Sequence, residues 1–144
     1  MAGLTPRPGP DDAALSRPIG WWLKETDRRL DEAFDLALDG LTADRRAWQV
    51  LSTLARRPCA EADLLAALSP FDSAAAIQAV VADLRSRGWV AEAGEELSLT
   101  EEGTSQQAEM APLVAEVRQK VITALPGQDY VTLVGLLQRL IAAL

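Results

Sequence analysis

Apolar residues recur at three- and four-residue steps along most of the chain, which is the pattern of amphipathic helices. The first stripe covers residues 19–41 and ends near Gly40. Thr42 is a suitable N-cap for a second helix, which must end before Pro58 because proline lacks the N–H that the helix needs. The apolar positions of this second helix are Trp48, Leu51 and Leu54.

Two further helices are predicted on either side of a tight turn. A third helix covers residues 60–68 and stops at Ser69-Pro70. Either Asp72 or Ser73 caps a fourth helix, which ends at Gly88, a residue suited to the left-handed C-terminal stop. The inward positions of the fourth helix are Ile77, Val80, Val81 and Leu84. Two helices with this spacing predict a helix-turn-helix.

After the fourth helix the period of apolar residues falls toward two, which indicates short strands. Residues 89–91 and 97–99 flank an acidic stretch with Gly94 at its turn, which predicts a small hairpin, or wing. Thr100 caps a fifth helix that runs to about Leu125, and Pro112 is expected to kink or divide it.

The last predicted helix, over residues 130–141, is apolar on more than one side. The chain is then divided into a proline-rich flexible arm at 1–18, a head at 42–99, and helical segments at 19–41 and 100–144. The helical segments at 19–41 and 100–144 carry more apolar surface than one small domain buries, which predicts a homodimer. The expected fold class is mainly α with a small β wing, a winged helix-turn-helix with long N- and C-terminal dimerisation helices.

Composition narrows the possible functions. The formal charge is −7, there is no histidine, and Cys59 is the single cysteine. The usual zinc ligand sets and imidazole bases are therefore missing, and we expect no catalytic site, no metal and no cofactor. No apolar run reaches the ~20 residues of a membrane span and no secretion signal is apparent, so we expect a cytoplasmic protein without a membrane partner.

Three stretches resemble the MarR family of bacterial winged helix-turn-helix transcription regulators. They are Leu41-Thr42 with RAWQVL at 46–51, LRSRGWV at 84–90, and LSLTEEG at 97–103. The stretches at 84–90 and 97–103 together place a helix stop, a wing and a helix cap at fixed distances from one another. The resemblance implies a homodimer held by its first and last helices. It also implies binding to palindromic double-stranded DNA, and release of that DNA by a small, often aromatic ligand.

The resemblance also places the exposed face of the fourth helix against DNA. Gln78 is then the candidate for a base-edge contact, and Ser73 for a phosphate contact. Four arginines are candidate phosphate anchors: Arg56, Arg57, Arg85 and Arg87. Basic residues at the end of a helix also favour its dipole, so Arg56 and Arg57 fit either role.

The charge of the head departs from the family pattern. Between Asp72 and Gly103 there are two arginines and seven acidic residues, and the wing at 91–96 has no base at all. Only residues 42–71, with Arg45 and Arg46 besides Arg56 and Arg57, are slightly basic. The alternative function is therefore a winged-helix dimer that has lost DNA reading and acts in protein interaction or ligand binding.

Two further features have alternative interpretations. Trp22, Phe34 and Trp48 either line a pocket for a small aromatic ligand or belong to the hydrophobic core. Cys59 is either a redox-sensitive thiol, activated by the arginines that precede it, or an unreactive loop cysteine.

Overall fold

The computed structural model describes residues 8–144. It divides into an N-terminal unit that ends at Glu32 and a larger unit from Ala33 to Leu144. The elements in chain order are α1 (Asp12–Ser16), α2 (Ile19–Leu38), a 3-10 turn (Asp39–Leu41), α3 (Arg45–Arg56), β1 (Cys59–Ala60), α4 (Glu61–Leu68), α5 (Ala74–Ser86), β2 (Val90–Ala93), β3 (Glu96–Leu99), α6 (Glu101–Ala124) and α7 (Asp129–Ala143).

The N-terminal unit contains a helix that the sequence analysis does not predict. The flexible arm was expected over residues 1–18, of which 1–7 lie outside the described residues, but residues 12–16 form α1. Asp11 caps this helix, because its Oδ1 accepts a hydrogen bond from the N–H of Ala14 at 2.8 Å. The indole N–H of Trp22 donates to the carbonyl of Ala14 at 3.3 Å. This local pair links α1 to the first turn of α2.

The core of the larger unit is formed by the inner faces of five helices, α2 to α6, and one side of the sheet. α3 contributes Trp48, Val50, Leu51 and Leu54, and its buried stripe follows the predicted periodicity. The largest fully buried side chains are Leu38, Val50, Leu51, Leu64, Ile77, Leu84, Met110 and Val114. Burial of such side chains is worth about 1.5–3 kcal/mol each, which fixes α5 and the sheet against α3.

The start of α3 differs from the prediction. Thr42 does not cap the helix; it has the left-handed conformation with φ of 53° and closes the 3-10 turn. The cap is Asp44, whose side chain accepts a hydrogen bond from the N–H of Ala47 at 2.8 Å. Asp35 accepts a further one from the N–H of Arg45 at 2.9 Å. Carboxylates satisfy two of the unpaired N–H groups that a hydroxyl at position 42 cannot reach.

The predicted wing is present, and it carries an additional strand. β2 and β3 pair in an antiparallel hairpin whose turn contains Gly94 with φ of 64°. β1, which was not predicted, pairs antiparallel with β3 through Cys59 and Leu97, so the strand order is β1-β3-β2. The base of the wing is thereby joined to the segment between α3 and α4.

α6 is one continuous helix, so Pro112 does not divide it. Three residues near the proline, Met110, Val114 and Val117, are buried and hold both halves of the helix on the core. As predicted, Thr100 caps α6, accepting from the N–H of Gly103 at 3.0 Å. Gly103 is required here because a Cβ at this position would lie 1.9 Å from the carbonyl oxygen of Trp89.

α7 has no buried residue, although it is apolar. Its exposed large side chains are Tyr130, Val131, Leu133, Val134, Leu136 and Ile141. Within residues 8–144, no helix combines the length and apolar character that crossing a bilayer requires.

Candidate nucleic-acid interface

α5 is the second helix of the helix-turn-helix, and it has one buried and one exposed face. Ser73 caps it, because its Oγ accepts a hydrogen bond from the N–H of Ala76 at 3.1 Å. Its C-terminus is fixed by Gly88, which has φ of 77° and donates its N–H to the carbonyl of Arg85 at 3.0 Å. Ile77, Val81 and Leu84 are buried against the core. The opposite side, called here the outer face of α5, is exposed.

The outer face of α5 is composed mainly of small, uncharged residues. Gln78 is exposed, and its side chain forms no hydrogen bond within the described residues. Ser73 is exposed too, and its hydroxyl, which accepts in the cap, keeps its own proton for donation. The remaining exposed positions of α5 are Ala74, Ala75, Ala79, Ala82, Asp83, Arg85 and Ser86. This face is accessible to a flat or grooved partner and nearly lacks charge.

Two of the four arginines predicted as phosphate anchors are held by other groups of the head. Nη1 of Arg85 lies 2.8 Å from Oε2 of Glu92, in the wing. Arg87 donates through Nη1 to the carbonyl of Thr42 at 2.6 Å, and its Nε lies 3.0 Å from Oδ2 of Asp83. Each of these cations already has a carboxylate partner, which reduces its attraction for a phosphate.

The other two, Arg56 and Arg57, lie at the C-terminal end of α3 and are exposed. Within residues 8–144 neither has an ion pair or side-chain hydrogen bond. Arg87 contacts Thr42, just before the opposite end of the same helix. The twelve residues of α3 span about 18 Å, so the predicted anchors do not form one cluster.

All charged side chains of the wing are acidic. Glu92, Glu95 and Glu96 are exposed along the β2–β3 hairpin, and no basic residue lies in it. A carboxylate near a phosphate is repelled, so this hairpin lacks the usual means of contacting a nucleic-acid backbone.

A cleft of about 540 Å³ separates the segment before α3 from α5. Its lining residues include three with carboxylates and one with a guanidinium, besides small uncharged side chains. The lining residues are Asp39, Thr42, Ala43, Asp44, Ala47, Ala79, Val80, Asp83 and Arg87. Because Ala79 and Asp83 belong to the outer face of α5, any molecule in this cleft lies beside that face. The sequence gives no sign of this cleft, because the two segments that line it are far apart along the chain.

The aromatic residues predicted to line a ligand pocket do not line this cleft. Phe34 and Trp48 are buried in the larger unit. Trp22 belongs to the N-terminal unit, where it is 40% exposed and contacts Trp21 edge to face, with 4.7 Å between ring centroids. A pocket formed by these three side chains stays a prediction.

Cys59 is buried in β1. Burial raises the pKa of its thiol, and the carboxylates of Asp63 and Glu96 raise it further, while Arg57 opposes them. A thiol with a raised pKa is neutral at physiological pH and reacts slowly with oxidants. The geometry favours the unreactive cysteine over the redox-sensitive one.

Arg45 and Arg46 contribute to the basic character of residues 42–71, and each lies against an aromatic ring. The guanidinium of Arg45 is 5.2 Å from the ring centroid of Phe34, and that of Arg46 is 6.0 Å from that of Phe71. The sequence offered no signal for this, because the partner of Arg46 follows it by more than twenty residues.

No family model matches the sequence, and no curated protein matches it. Solved structures do match its fold. BpsR of Bordetella bronchiseptica, whose DNA binding is regulated by 6-hydroxynicotinic acid, is 22% identical, with a TM-score of 0.77 over 92% of this chain and 99% of its own. A probable transcriptional regulator from Pseudomonas aeruginosa is 25% identical, with a TM-score of 0.77 over 88% of this chain and 98% of its own.

A third match is a cysteine-to-serine variant of E. coli MarR in complex with operator DNA. It is 20% identical, with a TM-score of 0.76 over 91% of this chain and 99% of its own. The chain is therefore a winged helix-turn-helix protein, with α4 and α5 as the two helices and the β2–β3 hairpin as the wing. More closely, its fold is that of the MarR-type regulators, which confirms the resemblance found in the sequence motifs.

Proposed function

We propose that this protein is a homodimeric DNA-binding transcription regulator that reads its operator with α5. The observation that supports this most is the exposed, accessible outer face of α5, in a chain that shares its fold with MarR in complex with operator DNA. In helix-turn-helix proteins the N-terminal part of the second helix contacts base edges. Ser73 then donates to a phosphate, and Gln78 contacts an adenine.

The charge of the head limits the strength of this binding. Among the four predicted phosphate anchors, Arg56 and Arg57 have no ion partner within residues 8–144, while Arg85 and Arg87 are already paired. Phosphate contacts supply most of the affinity of non-specific complexes, and each releases about one counterion. The protein is therefore expected to bind DNA weakly, and because it makes few phosphate contacts, its affinity should depend only shallowly on salt. Such a regulator acts in the cytoplasm and is not an enzyme.

The homodimer is supported by the apolar surface of α7. None of its residues is buried, although six of its large apolar side chains are exposed. A second copy of the chain is the occupant that the proposal assigns to this surface, because isologous interfaces of helices bury such surfaces in obligate dimers. Leu136→Glu is expected to give a monomer in sedimentation equilibrium. The matched control, Gln138→Glu on the same helix, is expected to keep the dimer.

Release by a small aromatic ligand completes the proposal. BpsR is regulated by 6-hydroxynicotinic acid, which serves here as the probe. If Trp22, Phe34 and Trp48 line the ligand pocket, the probe is expected to quench tryptophan fluorescence and to lower DNA affinity. Saturable quenching that Phe34→Leu weakens supports the pocket, and quenching that does not saturate contradicts it for this probe.

The DNA-binding test is fluorescence anisotropy with two duplexes of about 30 base pairs, at salt concentrations between about 50 and 200 mM. One duplex is the DNA directly upstream of the protein's own coding sequence, and the other has a random sequence. Tighter binding of the upstream duplex supports the regulator. Equal binding of both duplexes, or no binding, contradicts it.

Two gain-of-contact variants test whether the outer face of α5 is the DNA-binding surface. Ala75→Arg and Ala82→Arg place a guanidinium at exposed positions of this face. Each should raise affinity for both duplexes and steepen the salt dependence. Gln119→Arg, on an exposed part of α6 between Arg118 and Lys120, adds the same charge and should have no comparable effect.

A second function is favoured by the acidic wing and the paired arginines: a winged-helix dimer that no longer reads DNA and acts in protein interaction or ligand binding. It predicts that the parent protein binds neither duplex at about 50 mM salt. It also predicts that Ala75→Arg and Ala82→Arg create non-specific affinity that the parent lacks. Tight, sequence-selective binding by the parent protein excludes this alternative.

A further inference from the structure

Arg46 connects α3 to the turn between α4 and α5. It lies in the first turn of α3, and its side chain is 15% exposed. Its Nε lies 3.1 Å from Oδ2 of Asp72, and its Nη2 donates to the carbonyl of Phe71 at 2.8 Å. Its Nη1 donates to Oε1 of Gln49, one turn further along α3, at 3.0 Å. The guanidinium is thus hydrogen bonded both to α3, through Gln49, and to the turn before α5, through Phe71 and Asp72.

The hydrogen bonds continue from this turn into α5. Oδ1 of Asp72 accepts from the N–H of Ser73 at 2.9 Å. That bond and the contact with Arg46 lower the pKa of the Asp72 carboxyl. Ser73 caps α5: its Oγ accepts from Ala76, and its carbonyl accepts from the N–H of Ile77 at 3.1 Å. A continuous chain of hydrogen bonds therefore runs from α3 to the first turn of α5.

We propose that Arg46 is a positioning residue for DNA recognition: it fixes the N-terminus of α5 without touching DNA. This inference rests on the proposed DNA-binding function. The first turn of the recognition helix has to be placed to within about half an ångström for its side chains to meet base edges and phosphates. The burial of Arg46 and the direction of its N–H groups toward protein acceptors separate it from the exposed Arg56 and Arg57.

The geometry requires arginine at this position. A guanidinium presents donors in a rigid planar fork, whereas the lysine ammonium is a point charge with flexible donors. Lysine at position 46 keeps the charge of the head, but it cannot reach the Phe71 carbonyl, Asp72 and Gln49 together. Arg46→Lys therefore separates positioning from electrostatic attraction.

The test compares Arg46→Lys, Arg46→Met, Asp72→Asn and the double variant of Arg46→Lys with Asp72→Asn against the parent protein. The control is Arg118→Lys, the same exchange at an exposed site on α6. Anisotropy with the upstream and random duplexes gives affinity and its salt dependence, and urea unfolding gives global stability. Hydrogen exchange of the amides of Ala76 and Ile77 reports on the start of α5 and does not depend on DNA.

A positioning role predicts that Arg46→Lys lowers affinity for the upstream duplex about tenfold, the effect of losing one charge-assisted hydrogen bond, with an unchanged salt slope. The double variant should lose no more than the larger single loss, because the two residues act through one connection. The amides of Ala76 and Ile77 should exchange faster, while that of Met110 in α6 keeps its protection.

Three results overturn the inference. The first is parent-like affinity in Arg46→Lys. The second is a salt slope that becomes shallower in Arg46→Met but not in Arg46→Lys, which indicates a direct phosphate contact. The third is unchanged exchange of both amides at the start of α5. If the parent binds neither duplex, the proposed function fails, and the exchange measurement alone decides whether Arg46 positions the helix.

Discussion

The ion pair between Arg85 and Glu92 joins the last turn of α5 to the first strand of the wing, and it offers a direct way to change DNA affinity. The two charged groups are 2.8 Å apart, and their side chains are 49% and 43% exposed. Glu92→Gln keeps the shape of the side chain and removes its charge. We expect Arg85 to be released for phosphate contact, so that DNA binding becomes tighter and more sensitive to salt.

The exposure of the pair sets the size of the effect. Pairs exposed to this degree are worth about 0.2–1 kcal/mol, so the fold should tolerate the change. Each new phosphate contact adds about 0.9 to the slope of log K against log salt concentration, or about 1.8 for the two heads of a dimer. Lowering the salt fourfold, from about 200 to about 50 mM, should therefore widen the affinity ratio of variant to parent about 12-fold.

The assay is fluorescence anisotropy across this salt range, with urea unfolding to verify that the fold is intact. Glu95→Gln is the control: it makes the same charge change in the same hairpin, and within residues 8–144 Glu95 has no ion partner. Both variants reduce general repulsion of DNA, but only Glu92→Gln frees an arginine. Identical salt slopes for the two variants would refute the reasoning, because they would show that the pair does not restrain Arg85.

Three further predictions concern stability and reactivity. Gly103→Ala should lower the free energy of unfolding by about 3 kcal/mol, because its Cβ collides with the Trp89 carbonyl, whereas Gly20→Ala, in open space within α2, should leave it unchanged or raise it by up to about 1 kcal/mol. Equal urea midpoints would contradict this. Cys59 has a raised pKa, so iodoacetamide should label it slowly at pH 8 in the native protein and rapidly in urea; equal rates would show an accessible thiolate. The lowered pKa of Asp72 means that its contribution to stability is complete above about pH 4 and is lost as pH falls through the folded-state pKa. Urea midpoints of Asp72→Asn and the parent should therefore converge between pH 6 and pH 3. A constant difference between them would contradict the lowered pKa of Asp72.

The sequence predicts the elements of the head well wherever a local interaction sets their ends. Ser73 and Thr100 cap α5 and α6 within four residues of their partners, and Gly88 ends α5 with the expected positive φ. Caps and left-handed stops depend on neighbouring backbone groups, so residue type and spacing are enough to predict them.

Features that depend on distant partners could not be predicted in the same way. β1 has only two residues and follows Pro58, so it shows no alternation, and it exists because β3 supplies its hydrogen bonds. Thr42 and Asp44 are both acceptable caps for α3 by residue type. Arg87, which donates to the Thr42 carbonyl, and Asp35, which accepts from the N–H of Arg45, fix the choice from elsewhere in the chain.

Partners that are distant along the chain also explain why the predicted phosphate anchors are not all available in the structure. Charged residues can be counted from a sequence, but DNA binding depends on the charges that have no partner in the folded chain. Arg85 and Arg87 are paired with carboxylates of the head, and Arg46 holds the turn before α5. The electrostatic attraction that remains is small, and electrostatic attraction is what binds a regulator to random DNA. Under the proposed function, selectivity then comes from the fit of the outer face of α5, whose placement depends on Arg46, and from the pairing of two heads in a dimer. The scarcity of free cations thus lowers affinity for every sequence by a similar factor, so a sequence that α5 does not fit is left with little binding of any kind.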